Sequence, residues 1–137
     1  MDLKCRVENG FAAVGFTKVP NVKVQHHSEM FPTHPEPEDS YIVSVDLSQE
    51  PRDKRIPEKP QLKFRCNLGR SALEISNIQL GGSSLAEQGY GRRIVEAMED
   101  IGRSLGLTKS VVSINRTVGF WQHMGYGRVD GRTGKYL

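Results

Sequence analysis

Hydrophobic and polar residues alternate with a period of two along three stretches in the first half of the chain, 41–47, 61–67 and 71–80. This period is typical of β-strands that bury one face. Only a short segment around Gly69 separates the second stretch from the third, so we predict that these two strands form a hairpin.

The remainder of the first half contains residues that are typical of turns and loops. Two strand-like runs, 4–7 and 11–19, flank the pair Asn9-Gly10, and an Asn-Gly pair between apolar runs predicts another hairpin. The stretch 20–40 contains four prolines and no apolar period, which predicts an irregular loop. A second loop is predicted at 49–60, where acids and bases are interleaved around prolines.

Three histidines, His26, His27 and His34, fall in the first of these loops. They raise the hypothesis of a metal site, but no cysteine lies nearby and no predicted helix fixes their spacing. We therefore predict solvated histidines and no metal.

A helical period begins close to residue 90. Its apolar face is formed by Ile94, Val95, Met98, Ile101 and Leu105. Polar residues are predicted elsewhere around the axis, at Arg92, Glu96, Glu99, Asp100 and Arg103. The Gly/Ser-rich stretch 81–91 leads into this helix, and its backbone N–H groups could face an anionic group such as a pyrophosphate. Arg92 and Arg93 add positive charge there.

The order of elements predicts the fold class. After the helix come a strand at 109–115, a short helix at 116–124 and a terminal hairpin around Asp130-Gly131. We predict an α/β (α+β) domain that spans 1–137, with a mixed, mostly antiparallel sheet, two helices in its second half and a β-rich first part.

Composition narrows the function classes only slightly. A content of 36% hydrophobic and 26% charged residues is that of a globular domain, and a net charge of +3 suits an anionic ligand or nucleic acid. The arginines are dispersed among acids and only 7% of residues are aromatic, which disfavours nucleic acid. No secretory or membrane segment is visible, so we expect a cytoplasmic protein in which Cys5 and Cys66 are thiols.

Glu74 is the acidic residue of the strand predicted at 71–80. Strict alternation would place Leu73, Ile75 and Asn77 on one face, and Glu74 on the other face with Ser76, Ile78 and Leu80. A carboxylate beside apolar residues could accept a proton from a substrate. The alternative is a structural acid paired with Arg70 or Lys63.

Two motifs resemble those of the GCN5-related N-acetyltransferases. The first is Gly89-Tyr90-Gly91-Arg92, which matches the core of the family signature Gln/Arg-x-x-Gly-x-Gly/Ala at a strand-to-helix loop. The second is Asn115 at a strand end followed by Phe120-Trp121, then Gly125-Tyr126, which is similar to the family pattern Phe-Tyr-x-x-x-Gly-Phe. The resemblance covers 71–137.

The resemblance implies that acetyl-CoA is the cofactor and that an amine on a small molecule, peptide or protein is the acceptor. It implies that Glu74 is the general base, and that cofactor contacts come from Ile78, Gln79, Leu80, Gln88, Gly89, Tyr90, Gly91, Arg92, Arg93, Asn115 and Phe120. The remainder, 1–70, would be a divergent first part of the domain.

The sequence also departs from the family pattern. Ala86 stands where the signature has Gln or Arg, and Trp121 stands where many members have the tyrosine that acts as the general acid. An indole N–H is a poor acid, so Tyr126, His123 or solvent would have to supply the proton. Two alternatives to an N-acetyltransferase therefore stay open, a related module that binds CoA or a protein without catalysis, and a basic nucleic-acid-binding domain.

Overall fold

A computed structural model describes residues 3–13, 21–26, 39–46, 61–79, 90–113 and 118–137. Its helices are α1 (Leu3–Ala13), α2 (Tyr90–Ser104) and α3 (Val118–His123). Its strands are β1 (Asn21–His26), β2 (Ser40–Asp46), β3 (Gln61–Asn67), β4 (Ala72–Gln79), β5 (Lys109–Val112), β6 (Gly127–Val129) and β7 (Arg132–Tyr136).

The strands form one seven-stranded sheet in the order β1-β2-β3-β4-β5-β7-β6. Neighbouring strands are antiparallel except β4 and β5, which are parallel because α2 carries the chain back across the sheet. The predicted mixed, mostly antiparallel α/β fold is therefore confirmed, as are the strands 41–47, 61–67 and 71–80 within a residue or so at their ends. The terminal hairpin is also as predicted, with Asp130 and Gly131 at positive φ in its turn.

The hydrophobic core lies on one face of the sheet, which we call the inner face. Cross-strand rows of apolar residues line it, and the helices α1 and α2 cover it. Its largest fully buried side chains include Phe11, Leu62, Phe64, Leu73, Ile75, Ile94 and Met98. Burial of each such side chain stabilises the fold by roughly 1.5–3 kcal/mol. Four of the five residues predicted for the apolar face of α2 are buried, and Leu105 packs on the same core.

The predicted hairpin at 4–7 and 11–19 is wrong where the structure describes it. The helix α1 runs through Asn9 and Gly10 without a turn, and Val7 and Phe11, four residues apart, are both fully buried. A Cβ atom at Gly10 would lie 3.2 Å from Ile101 Cδ1, so the glycine lets α1 approach α2 closely. Packing between the two helices therefore overrides the turn propensity of the Asn-Gly pair.

A second prediction fails at 21–26, which was assigned to an irregular loop. This segment is the edge strand β1, and its Val22 and Val24 lie opposite Val45 and Val43 of β2. His26 belongs to the strand, where its Nε2 lies 3.4 Å from Asp39 Oδ1. Positions 27–38, with His27 and His34, are outside the described residues.

A β-bulge in β4 changes which residues share a face. Glu74 and Ile75 pair with Arg65 and Phe64, but the next pair along β3 is Lys63 with Asn77, so Ser76 is the extra residue. The extra residue reverses the alternation, which places Ile78 on the inner face opposite buried Leu62. The predicted faces are therefore wrong after position 75, because Ile78 lies with Ile75, and Asn77 lies with Glu74. Leu80 is outside the described residues.

Candidate active site

Glu74 lies on the polar side of the sheet, which we call the outer face. Its neighbours across the strands are Arg65 on β3 and Val111 on β5. A cavity of about 490 Å³ opens beside it, lined by Ile42, Lys63, Phe64, Arg65, Glu74, Ser76, Asn77 and Ser113. In the described part of the chain the Glu74 carboxylate has no hydrogen bond or ion pair. It is therefore available to a ligand.

The parallel pair β4 and β5 ends directly after Glu74. The last registered pair is Ile75 with Val112, and the last backbone bond is donated by Ser113 N to Ile75 O over 3.0 Å. β4 continues for four residues to Gln79, and no other described strand replaces β5 along that edge. The backbone groups of 76–79 on this side can therefore bind an extended ligand as a further strand would.

The bulge holds the residues around this point in place. Ser76 Oγ donates a hydrogen bond to the backbone carbonyl of Lys63 over 3.1 Å, across the interruption in the ladder. Lys63 and Asn77 therefore keep a defined position next to Glu74 on the outer face, and their side chains border the same cavity.

The start of α2 is the predicted anion site, and it is unusual in charge. Its first turn contains Arg92 and Arg93 but no acid, although the unpaired N–H groups of a helix start favour negative charge. Arg92 is held by Glu96, with Nε 3.0 Å from Oε1. The Phe120 ring lies over Gly91, since a Cβ atom there would be 3.5 Å from Phe120 Cε2. An anion at this turn would be attracted by the positive end of the helix and by the two arginine side chains.

The two residues proposed as acids lie apart from Glu74. His123 is exposed and borders a different cavity of about 580 Å³, between α2 and β7. Tyr126 is only 4% exposed, and its ring packs in a T-shaped contact on Trp121, which in turn contacts Phe120. Trp121 is 3% exposed, so this aromatic residue serves packing.

Tyr126 belongs to a closed polar cluster on the inner face, which we call the Glu99 cluster: Glu99, Ser110, Tyr126 and Lys135. The Tyr126 hydroxyl donates to Glu99 Oε2 over 2.9 Å and lies 2.7 Å from Ser110 Oγ. Lys135 Nζ donates to Glu99 Oε1 over 3.2 Å and to the Met124 carbonyl over 3.2 Å. The cluster ties α2, β5, β7 and the loop after α3 together.

Burial of the Tyr126 phenol raises its pKa well above its ordinary value. The Ser110 hydrogen bond opposes this shift, while the nearby Glu99 carboxylate adds to it. A phenol that already donates its proton to a buried carboxylate is a poor acid, so the geometry does not favour Tyr126 as the proton donor for a leaving thiolate.

The sequence missed the Glu99 cluster because the helical period placed Glu99 on the polar side of α2. Glu99 is in fact 2% exposed. A lone glutamate shows no partner in sequence, and its partners Tyr126 and Lys135 come from the loop after α3 and from β7. The only signal in the sequence was that Glu99 directly follows Met98, which belongs to the apolar face of α2.

Of the predicted cofactor residues, the structure brings Gly91 and Phe120 into contact and places Arg92 and Arg93 in the same turn. Tyr90 begins α2, and Ile78 and Gln79 end β4. The predictions for Leu80, Gln88, Gly89 and Asn115 fall on positions outside the described residues, as does Ala86.

Other features give no further site in the described ranges. Cys5 is exposed and Cys66 is buried, and the two do not form a disulfide with each other. No group of three or more metal-binding side chains is assembled among the described residues. None of the helices within these ranges has the length and apolar character needed to cross a membrane.

Comparisons with known proteins found a likeness among solved structures. No protein-family model matches the sequence, and no curated protein does. The crystal structure of GCN5 from Tetrahymena is similar to this chain, with 13% identity over 98% of this chain and 86% of that one and a TM-score of 0.49. A likeness at this level carries no argument about ligand, activity or catalytic residues.

Proposed function

We propose that this protein is an acetyl-CoA-dependent N-acetyltransferase in which Glu74 is the general base. The observation that carries the proposal is the end of the β4 and β5 pairing at Ile75 and Val112, one residue beyond a carboxylate that borders a cavity and has no ion pair among the described residues. An amine in that cavity would lie beside Glu74 and next to the edge of β4 that no described strand pairs. The two motifs in 71–137 give independent support.

The first turn of α2 would hold the phosphates of the cofactor. The N–H groups of this turn and the side chains of Arg92 and Arg93 would supply the positive charge, and the turn itself contains no acid. Gly91 has no side chain that would keep a phosphate from the backbone. Residues 78 and 79 would line the pantetheine arm, as would Asn115. These residue types fit an elongated, strongly anionic ligand.

The chemistry needs few groups. The thioester supplies the activated acetyl group. Glu74 takes a proton from the acceptor ammonium, the neutral amine nitrogen forms the new C–N bond, the C–S bond breaks to release CoA thiolate, and the nitrogen releases its second proton to solvent. N–H groups on the edge of β4 would stabilise the oxygen that becomes negative. His123 and Tyr126 lie away from the Glu74 cavity, so we propose that the thiolate takes its proton from solvent.

The same separation favours one second candidate, a module that binds CoA without catalysis. In that case the cradle at α2 would be retained, while Glu74 would have no proton to accept. The two candidates differ in turnover and agree in CoA binding.

Calorimetry with acetyl-CoA, followed by an assay of CoA release with a panel of amines, tests the proposal. We expect saturable binding of acetyl-CoA and amine-dependent release of the thiol. Binding without release from any small amine, peptide or protein would favour the second candidate. If acetyl-CoA does not bind at all, both candidates are wrong.

A further inference from the structure

The outer face of the sheet carries a cation, Lys63, that borders the same cavity as Glu74. Lys63 is exposed on β3, and it borders both the Glu74 cavity and a neighbouring cavity of about 480 Å³. In the described part of the chain neither the Lys63 ammonium nor the Glu74 carboxylate takes part in an ion pair. Opposite charges that stay apart in one cavity can each bind a group of a ligand.

The spacing of the two charges is set by the sheet. Glu74 pairs with position 65 and Asn77 pairs with Lys63, so the two charges lie on neighbouring rows of the same face. Positions 63 and 65 of one strand are about 7 Å apart. A lysine side chain is flexible enough to bring its ammonium several ångströms closer to an anion. A small molecule with an amine and an anionic group a few bonds apart therefore matches this distance.

The surrounding residues reinforce a preference for negative charge. Arg65 adds a second cation to the cavity, and Ser76, Asn77 and Ser113 offer neutral hydrogen-bonding groups. Ser76 also fixes the backbone of Lys63 through its 3.1 Å hydrogen bond. Apart from Glu74, no acidic residue of the described chain borders the cavity. Glu74 itself is proposed to bind the amine.

We infer that the acceptor is an amine that carries an anionic group, a carboxylate or phosphate, and that Lys63 is the residue that selects it. This inference rests on the proposed function, since it assigns the acceptor of the same site. The ammonium would lie at Glu74 and the anion at Lys63, which orients the nitrogen towards the split between β4 and β5.

The test compares matched acceptors in the thiol-release assay. Two peptide amides, Ala-Asp-Ala and Ala-Asn-Ala, share nearly the same amine and differ in one charge, and β-alanine with its amide forms a second pair. We expect kcat/KM to be about tenfold higher for the anionic member of at least one pair, as for a charge-assisted contact. The preference should shrink as salt is added.

Two variants locate the preference. Lys63→Met should reduce the ratio between anionic and neutral acceptors to about one. Lys23→Met removes the same charge from the same face, but at a position that borders only the neighbouring cavity, and it should keep the ratio. Circular dichroism and acetyl-CoA binding verify that both variants are folded.

The outcomes separate the two ideas. If the wild type acetylates neutral and anionic acceptors equally, or if Lys63→Met keeps the preference, the inference is wrong and the acetyltransferase proposal stands. If no acceptor of either kind is acetylated although acetyl-CoA binds, the proposed function fails, and the inference fails with it.

Discussion

The two faces of the sheet place a glutamate near a lysine in opposite ways. On the inner face, Glu99 is 2% exposed and accepts hydrogen bonds from both Tyr126 and Lys135. On the outer face, Glu74 is half-buried and borders an open cavity, and neither it nor Lys63 has an ion pair within the described residues. The same chemical groups are hydrogen-bonded to each other in one place and stay apart in the other.

The difference separates structure from function. A buried carboxylate must have its hydrogen bonds satisfied, because an unpaired one would cost several kcal/mol. Glu99 meets that requirement with one group from β7 and one from the loop after α3, so its hydrogen bonds stabilise the fold. Within the described residues Glu74 has no such partner, which is the state that a substrate-binding group requires. Substitution of Glu99 should therefore lower the stability of the fold, whereas substitution of Glu74 should lower turnover.

The largest effect is expected on stability, for Glu99→Ala. This change leaves the Tyr126 hydroxyl and the Lys135 ammonium without their shared acceptor. The Lys135 side chain is 27% exposed, so water can still hydrate its ammonium in part. We expect the free energy of unfolding to fall by about 3 kcal/mol, measured by chemical denaturation. Glu74→Ala is the matched control and should change it by less than about 0.5 kcal/mol. Equal losses at the two positions would contradict the comparison.

For turnover, the larger effect is expected at Glu74. Glu74→Gln keeps the shape of the side chain and removes the base, so kcat should fall roughly 100-fold at neutral pH. Affinity for acetyl-CoA should stay within about threefold, and the rate should recover in part at high pH, where more of the amine is already neutral. Asp46→Asn, which removes a carboxylate from the neighbouring cavity of the same face, should keep kcat within about threefold. Wild-type turnover in Glu74→Gln would show that the base lies elsewhere.

A third test concerns the start of α2, whose first turn contains two arginines and no acid. Gly91→Asp adds a negative charge at the proposed phosphate cradle, and we expect calorimetry to show at least a tenfold loss of acetyl-CoA affinity, about 1.4 kcal/mol. The fold should tolerate the change, because a Cβ atom at this position meets Phe120 at an ordinary 3.5 Å.

Gly91→Ala is the control for this test, since it adds the same atom without the charge and should stay within about threefold of the wild type. Unchanged affinity in Gly91→Asp would remove the start of α2 from the cofactor site.

Most of the sheet could be predicted from local pattern, and the exceptions have physical causes. Period-two alternation located β2, β3 and β4 because each buries one face against the helices. The turn signal of the Asn-Gly pair failed at α1, where the close contact between Gly10 and Ile101 favours a helix. That contact joins residues about 90 positions apart, which a local pattern cannot represent.

The residues of the candidate site stay a prediction, and part of its geometry was not predicted. The family resemblance implies that Glu74 is the base, but nothing in the sequence indicated the bulge at Ser76, because an extra residue leaves no signature in the alternation of a short strand. The bulge brings Asn77 beside Glu74 and moves Ile78 to the inner face. The Glu99 cluster was missed for a related reason, since its four members are polar residues from separate elements that meet only in the folded chain.

The smallest effect concerns the pH dependence of stability on the inner face. Cys66 is fully buried on β3, and burial raises the pKa of its thiol from 9.0 to about 12. Because the folded state holds this proton more tightly than the unfolded chain, its contribution to stability is complete below pH 9 and is lost as the pH rises towards 12.

Burial raises the Tyr126 pKa in the same direction, so a variant is needed to isolate the thiol. Cys66→Val has no ionisable group and nearly the same volume. Between pH 8 and 9.5 the wild type should lose roughly 1 kcal/mol more than Cys66→Val in chemical denaturation. Replacement of the exposed Cys5 by serine should leave the wild-type pH dependence unchanged. Parallel pH profiles for the wild type and Cys66→Val would mean that the thiol reaches solvent, and that the inner face is more open around β3 than the structure has it.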